Sequence, residues 1–497
     1  MPEIETRWEW RIFGSRLNAA AAWLAAHRST GVQESDETYF LSASGGVAKL
    51  RSDLMDVKVL READSDGLER WEPVMKSAFP LQPADVARVF ELQKLAPPAL
   101  PRTGWSVEDF IRDFAGPGGP MRAVRVHKKR VRYAIDRCTL ELSDVVADGR
   151  SMQTLAVESQ DGAAVVALVR AMGHSGWINT NYPRGLAALL DAEPERYAVI
   201  DVGTNSVKFH IGQREREGVW RSLVDRAEVT RLGEGLEERG EIAPAALQRT
   251  AAAVREMVDE ARRHGVRAIA AVGTAGLRIT RNRDGVLAAL RESTGISIEV
   301  ISGEEEARLA YLAVVASLGL TGDSVVVFDT GGGSSQFTFG RGTEVDERFS
   351  VDVGAVRVTD RFGLSKAVTP EVVRDALAAI ATDLGRLDGH PGPHALVGMG
   401  GAVTNITAVM HGLSSYDPDV VQGSVLGREE IDRQIALYAS RDADARRAIV
   451  GLQPKRAEVI LAGACVIRSI MAKLGAESLT VSDRGLRHGV LMERFGP

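Results

Sequence analysis

The stretch Val325–Gly340, VVVFDTGGGSSQFTFG, reads as an apolar strand, a turn of an aspartate and three consecutive glycines, and a second strand. Ala198–Gly212, AVIDVGTNSVKFHIG, repeats the plan earlier in the chain. A glycine run lets backbone amides converge on an anion because no Cβ blocks the approach. Gly203, Thr204, Asn205 and Ser206 in one turn, and Gly331, Gly332, Gly333 and Ser334 in the other, are therefore candidate phosphate ligands. Asp201 and Asp329 end apolar strands, where a carboxylate is out of place as core. It suits a magnesium ion riding on a phosphate. Glycine and aspartate also favour ordinary hairpin turns. Two such turns, with a third glycine turn in VGMGGAVTN (Val397–Asn405), argue instead for a phosphate cleft between two similar subdomains.

The surrounding sequence agrees. From Arg196 onward, strands alternate with long Ala-rich helices, the pattern of α/β layers. The 497 residues exceed one core and suggest two to four domains. We expect units at 1–190, 196–318 and 319–497, the first joined through the acidic segment LLDAEPERYAV. A net charge of −6 gives no global reason for nucleic-acid binding, so an anionic ligand must meet locally placed cations. Two cysteines in apolar or strand-like runs give no disulfide framework or zinc site. No apolar run is long enough to span a membrane, and the start, MPEIETRWEWRIFG, is unlike a signal peptide, which makes the cytoplasm the expected compartment.

DVGTNS, AVGTAGLR, ISGEEEARLAYLAV, FDTGGGSSQF, GMGGAVTN and SDRGLRHG occur in the order that resembles the exopolyphosphatase/guanosine pentaphosphate phosphatase family. The resemblance covers roughly 196–497 and implies an actin-like ATPase fold of two duplicated α/β subdomains. It also implies magnesium-dependent removal of the terminal phosphate from inorganic polyphosphate. The same residues would serve guanosine pentaphosphate. Relatives of this kind often dimerise, which makes a homodimer an expected assembly.

Phosphoanhydride hydrolysis needs a water aimed in line and neutralisation of the transferred phosphoryl. The resemblance places the catalytic base at Glu306, with Glu305 next in line if the register is one off. An acidic run at a helix start is also ordinary complementation of the helix dipole. The resemblance brings Arg278 to the phosphoryl, a role suited to its fork of donors. Asp201 and Asp329 would hold magnesium. The chain departs from the pattern at Gln336, where GGGSSQ replaces the usual GGGSxE, and at Ala402. A neutral amide gives no charge to a cation, so slowed turnover or a purely polyphosphate-binding protein is the alternative outcome.

The first part of the chain carries a second set of cations. Lys49, Arg51, Lys58 and Arg61 lie on strand-like runs, and Arg125 and Arg130 lie in VRVHKKRVRYAIDRCTLELSDV, where Lys128-Arg130-Arg132 alternate. Acids recur at Glu141 and Glu158. This order of pieces resembles the CYTH family of triphosphate tunnels, which implies an eight-stranded antiparallel barrel with a lumen of cations and a few glutamates. The ExExK entry motif is imperfect: Glu3-Ile-Glu5-Thr-Arg7 fits with Arg for Lys, and Glu9-Trp10-Arg11 fits in a shifted register. The expectation is a polyphosphate-binding module more than a second hydrolase.

Overall fold

The computed structural model describes residues 6–43, 46–64, 66–174, 176–215 and 219–496. The chain opens with eight strands: β1 (Arg7–Gly14), β2 (Gly31–Leu41), β3 (Val47–Arg51), β4 (Leu54–Ala63), β5 (Glu69–Ala78), β6 (Arg122–Ile135), β7 (Cys138–Ala147) and β8 (Arg150–Ser159). They close into an antiparallel barrel in the order β1-β5-β4-β3-β2-β6-β7-β8, as the resemblance implies.

Period-2 alternation sorts each strand into an inner and an outer face. On β6 the inner set runs Val124, Val126, Lys128, Arg130, so one face passes from apolar to cationic. The apolar end is filled by the helix Tyr182–Leu190. Leu186 and Leu190 bury themselves among Phe13, Val124, Val145, Ala147 and Met152. Each fully buried leucine contributes about 1.5–3 kcal/mol. The barrel is thus a one-mouthed pocket, with a closed apolar floor and a charged upper lumen.

Two sheets follow. The first holds β9 (Glu195–Val202), β10 (Ser206–Arg214), β11 (Trp220–Val229), β12 (Ala268–Gly273) and β13 (Glu299–Val300), in the order β11-β10-β9-β12-β13. The second holds β14 (Ser324–Thr330), β15 (Ser335–Arg341), β16 (Glu344–Val351), β17 (Ala395–Met399), β18 (Val425–Gly427) and β19 (Ser478–Ser482), in the order β16-β15-β14-β17-β19-β18. In both, an antiparallel three-strand meander is continued by parallel strands, and the second sheet adds β18 antiparallel at its edge. The duplication foreseen from the two glycine hairpins is therefore a duplication of whole sheets.

Two helices join the halves. Gly303–Leu318 leads from β13 to β14, capped by the Ser302 hydroxyl accepting from the Glu305 amide at 3.1 Å. Leu486–Phe495 follows β19 but packs on the first sheet, its Val490, Leu491 and Phe495 buried with Tyr197, Val199 and Val272. The final helix of the expected 319–497 unit thus belongs spatially with the first sheet. The two helices touch where Gly489 meets the Leu309 backbone, a contact any Cβ would block.

The barrel is tied to the first sheet by backbone bonds: Ile269 N–H to Gly176 O at 2.8 Å and Ile178 N–H to Arg267 O at 2.9 Å. Trp177 packs edge-on against Tyr197 and Phe495 at the same junction. Among the described residues no helix is long and apolar enough to cross a membrane.

Candidate functional site

The two glycine hairpins have one geometry. In the first, Gly203 N–H donates to Ser206 O at 3.0 Å; in the second, Gly331 N–H donates to Ser334 O at 2.9 Å. A Cβ on Gly203 would stand 2.8 Å from Ser206 O, so only glycine closes that turn. Around the first loop, Asn205 O accepts the amides of Thr230 and Arg231, and Thr204 O accepts the Gly233 amide. Around the second, Gly331 O and Gly332 O accept the amides of Ala355 and Val356, at the start of the helix Ala355–Phe362. Each loop's carbonyls are thus turned back into the protein. The amides of Gly332 and Gly333 have no backbone acceptor among the described residues. Outward amides with inward carbonyls make a cradle for phosphate oxygens.

Asp201 is buried at the end of β9, with Lys208 Nζ 3.3 Å from its Oδ2 and its Oδ1 buried without a hydrogen-bond partner. Asp329 ends β14 in the corresponding place. Burial pushes its carboxyl above the ordinary range; Lys208 and Arg456 pull the other way and Glu306 adds to the rise. Those influences place groups from both halves around one carboxylate. Gly400, at φ +88°, passes so close to Asp329 that a side chain there would collide with the carboxylate. Arg456 lies against the next glycine, Gly401.

Arg278 Nη1 donates to Glu306 Oε2 at 2.8 Å and to Ile301 O at 3.0 Å. Glu305 points elsewhere, into a fork with Arg308 at 2.8 Å, and Arg308 also holds Glu493. Of the two glutamates weighed from the sequence, Glu306 is the one at the cleft. Gln336 is exposed and sits directly across from Asp329 on the neighbouring strand. Lys208, Arg456 and Arg348 were not singled out from the sequence. Lys208 had one available signal: it follows Asp201 at the same spacing that separates Gln336 from Asp329.

The donor set fits a divalent ion in part. Asp201 offers one free buried oxygen and Asp329 a second carboxylate, but they belong to no described group of three or more close ligands. An ion there would complete its shell with phosphate and water, as magnesium does. The described group that meets that criterion is His210, Asp225 and His488, away from the glycine loops. The Gly485 amide donates to His488 Nδ1 at 3.2 Å, and His488 Nε2 lies 3.3 Å from Asp225 Oδ2. Arg487 takes both Asp225 oxygens at 2.7 and 2.9 Å, and Arg484 stands 3.1 Å from His488 Nε2. This cluster straps the last helix to β11 through Asp225.

The barrel holds a second charged cavity of about 340 Å³. Several of its lining cations are gathered by Glu37, which is fully enclosed and accepts from Arg130 at 2.6 Å, Lys128 at 3.0 Å and Lys49 at 3.3 Å, with Arg51 at 3.8 Å. Lys128 also donates to Tyr39 Oη at 2.6 Å and lies 3.6 Å from the Tyr182 ring centre. Burial raises the Glu37 carboxyl, but Lys128 and Lys49 outweigh it and hold it well below the usual range. Lys49, Arg51, Lys58 and Arg130 line the cavity.

Two of the expected cations do not. Arg125 is an odd number of residues from Arg130 on one strand, so it faces outward and is exposed. Arg61 falls at the β-bulge between Leu60 and Glu62, is exposed and pairs with Glu72. Arg7, Glu9 and Arg11 all face the lumen, whereas Glu3 and Glu5 lie outside the described residues. Glu9 faces Glu158 across the β1–β8 ladder. Burial and then Glu9 push the Glu158 carboxyl up.

Residues 211–496 match the Ppx/GppA phosphatase family. Exopolyphosphatase 2 of Mycobacterium tuberculosis is 28% identical over 324 residues, covering 61% of this chain and 99% of that protein. The guanosine-5'-triphosphate,3'-diphosphate pyrophosphatase of Photobacterium profundum is 28% identical over 305 residues, covering 60% of this chain and 59% of its own length. The crystal structure of the Aquifex aeolicus Ppx/GppA phosphatase matches with a TM-score of 0.57 at 31% identity, covering 61% of this chain and 99% of that one.

Proposed function

Because the chain belongs to the Ppx/GppA phosphatase family, we propose that it is an exopolyphosphatase, releasing orthophosphate from the end of inorganic polyphosphate. The observation that carries the reading is the Arg278–Glu306 contact at 2.8 Å between two matched glycine cradles.

The terminal phosphate sits against the outward amides of Gly332, Gly333 and the Gly203–Ser206 turn. Arg278 exchanges Glu306 for a phosphoryl oxygen, where its fixed charge meets charge developing in the transition state. Glu306, freed of its partner, aligns a water and takes its proton as the new P–O bond forms and the bridging P–O bond breaks. Asp201 and Asp329 would hold magnesium, which would supply charge neutralisation to the leaving chain. Lys208 adds a fixed positive charge at the Asp201 side.

The barrel, in this reading, holds polyphosphate. A lumen of converging cations closed at one end suits the end of a linear polyanion more than a threaded chain. Tethering a second phosphate-binding pocket to the cleft raises the local substrate concentration.

A second reading, a guanosine pentaphosphate phosphatase, is favoured by the Photobacterium relative. The third glycine turn, where Gly400 and Gly401 pack against Asp329 and Arg456, would be the place for its nucleotide. Orthophosphate release from polyphosphate, challenged with guanosine pentaphosphate, separates them. We expect polyphosphate turnover to resist the nucleotide. Strong preference for the nucleotide would replace the first reading with the second.

A further inference from the structure

The duplication extends to the edge strands. On the first sheet, Asp225 of β11 faces His210, which lies as far beyond Asp201 as Thr338 lies beyond Asp329. On the second sheet, Arg348 of β16 faces Thr338. Asp225 and Arg348 therefore occupy equivalent places. Asp225 grips Arg487, the second residue of the helix Leu486–Phe495; Arg348 reaches Glu304, the second residue of the helix Gly303–Leu318. The two straps have opposite polarity and different quality. Asp225–Arg487 is bidentate at 2.7 and 2.9 Å between side chains less than 20% exposed. Arg348–Glu304 is 3.8 Å long, with Glu304 85% exposed. A pair so solvated contributes little to stability.

The loose strap lies at the catalytic glutamate's helix. Arg348 also donates to the carbonyl of Gly303. A Cβ on Gly303 would stand 3.3 Å from Arg348 Nη1 and 3.7 Å from Arg278 Nη2. Two guanidiniums, one from each half, thus border the same small gap, kept open by a glycine, one turn from Glu306. Arg278 has Glu306 as its partner; the carboxylate nearest Arg348 among the described ion pairs is the distant Glu304. The remaining donors of Arg348 are unused by any carboxylate among the described residues.

We propose that Arg348 is a substrate-binding residue of the second half, leaving Glu304 to hold, opposite Arg278, a phosphate of the chain entering the cleft. This rests on the phosphatase reading above. The chemistry asks for a forked, permanent cation at a phosphate chain.

The test is steady-state orthophosphate release by the full chain from long-chain polyphosphate and from guanosine pentaphosphate, for the parent and for Arg348→Ala, Arg348→Lys and Glu304→Gln. On the preferred substrate, Arg348→Ala should raise KM about tenfold or more, the size of one lost charge-assisted contact, with kcat within about twofold. Arg348→Lys should recover part of the loss, and Glu304→Gln should lower KM. A fall in kcat at unchanged KM, with a moved pH–rate profile, would mean that Arg348 only positions the Glu306 helix and would overturn the proposal. Unchanged kinetics would overturn it too. If the parent releases nothing from either substrate, the phosphatase reading itself fails, and binding of polyphosphate by the parent and Arg348→Ala then decides Arg348 separately: equal affinity sinks it.

Discussion

The two glycine hairpins share a backbone and differ in charge. Asp201 faces Lys208 across its ladder; Asp329, in the matching register, faces Gln336. One carboxylate has an ammonium at 3.3 Å, and the other has a neutral amide opposite and stays raised by burial. The same fold element has become a jaw with a directly paired carboxylate on one side and a jaw whose carboxylate feels its cations, Lys208 and Arg456, without a direct ion pair on the other. The aspartate without a direct pair is the one with most to gain from a divalent cation. With an amide at Gln336, Asp329 would be the carboxylate its hairpin offers to such a cation.

That asymmetry can be broken most severely at the aspartates. Asp329→Asn should lower kcat/KM for polyphosphate by about 10²–10³, the order of a lost metal-ion contribution of several kcal/mol. Asp201→Asn, whose charge Lys208 already offsets, should cost about tenfold. Equal losses in paired kinetic assays would erase the distinction between the jaws. A smaller change sharpens it: Gln336→Glu should strengthen magnesium binding several-fold, followed by calorimetry and by the magnesium dependence of turnover. Lys208→Met should push the Asp329 carboxyl further up, because a cation that lowers it is gone. Magnesium binding by that variant should then fail at a higher pH than in the parent.

The edge-strand straps give the smallest effect, read as stability. Burial presses the His488 imidazole down to about 3 from an ordinary 6.5. Its folded pKa is depressed, so below pH 6.5 the unfolded chain binds the extra proton and the folded one does not. Stability from this group is full above about pH 6.5 and is lost progressively as pH falls towards 3. Tm measured from pH 7 to pH 4 should therefore decline less steeply in His488→Gln than in the parent. Equal slopes would show that the buried strap is not proton-linked.

Much of this was legible in sequence because it is local. The spacing Asp–turn–strand recurs at Asp201 and Asp329, and a glycine two residues after each aspartate marks backbone that a Cβ would obstruct. The alternation Lys128-Arg130-Arg132 likewise announces one lumen face. Arg125 faces outward by strand parity and Arg61 by a β-bulge: charge density along a strand does not say which residues share a face. The lumen itself hid the answer, since its floor is apolar and Val124 and Val126 look like an outer core until the helix Tyr182–Leu190 is seen inside the barrel. Lys208, Arg348 and Arg456 escaped because their meaning arises only when two sheets close on one cleft. No window of sequence holds both Arg348 and Gly303.

The central claim is that Glu306 and the two jaws hydrolyse a phosphate chain. Its most direct test is orthophosphate release from long-chain polyphosphate with magnesium, by the intact protein and by Glu306→Gln. The account predicts steady release by the parent and a loss of about 10²–10⁴ in kcat for the variant, the range of a missing general base, with polyphosphate still bound. Equal release by both proteins, or binding without release by the parent, would contradict it.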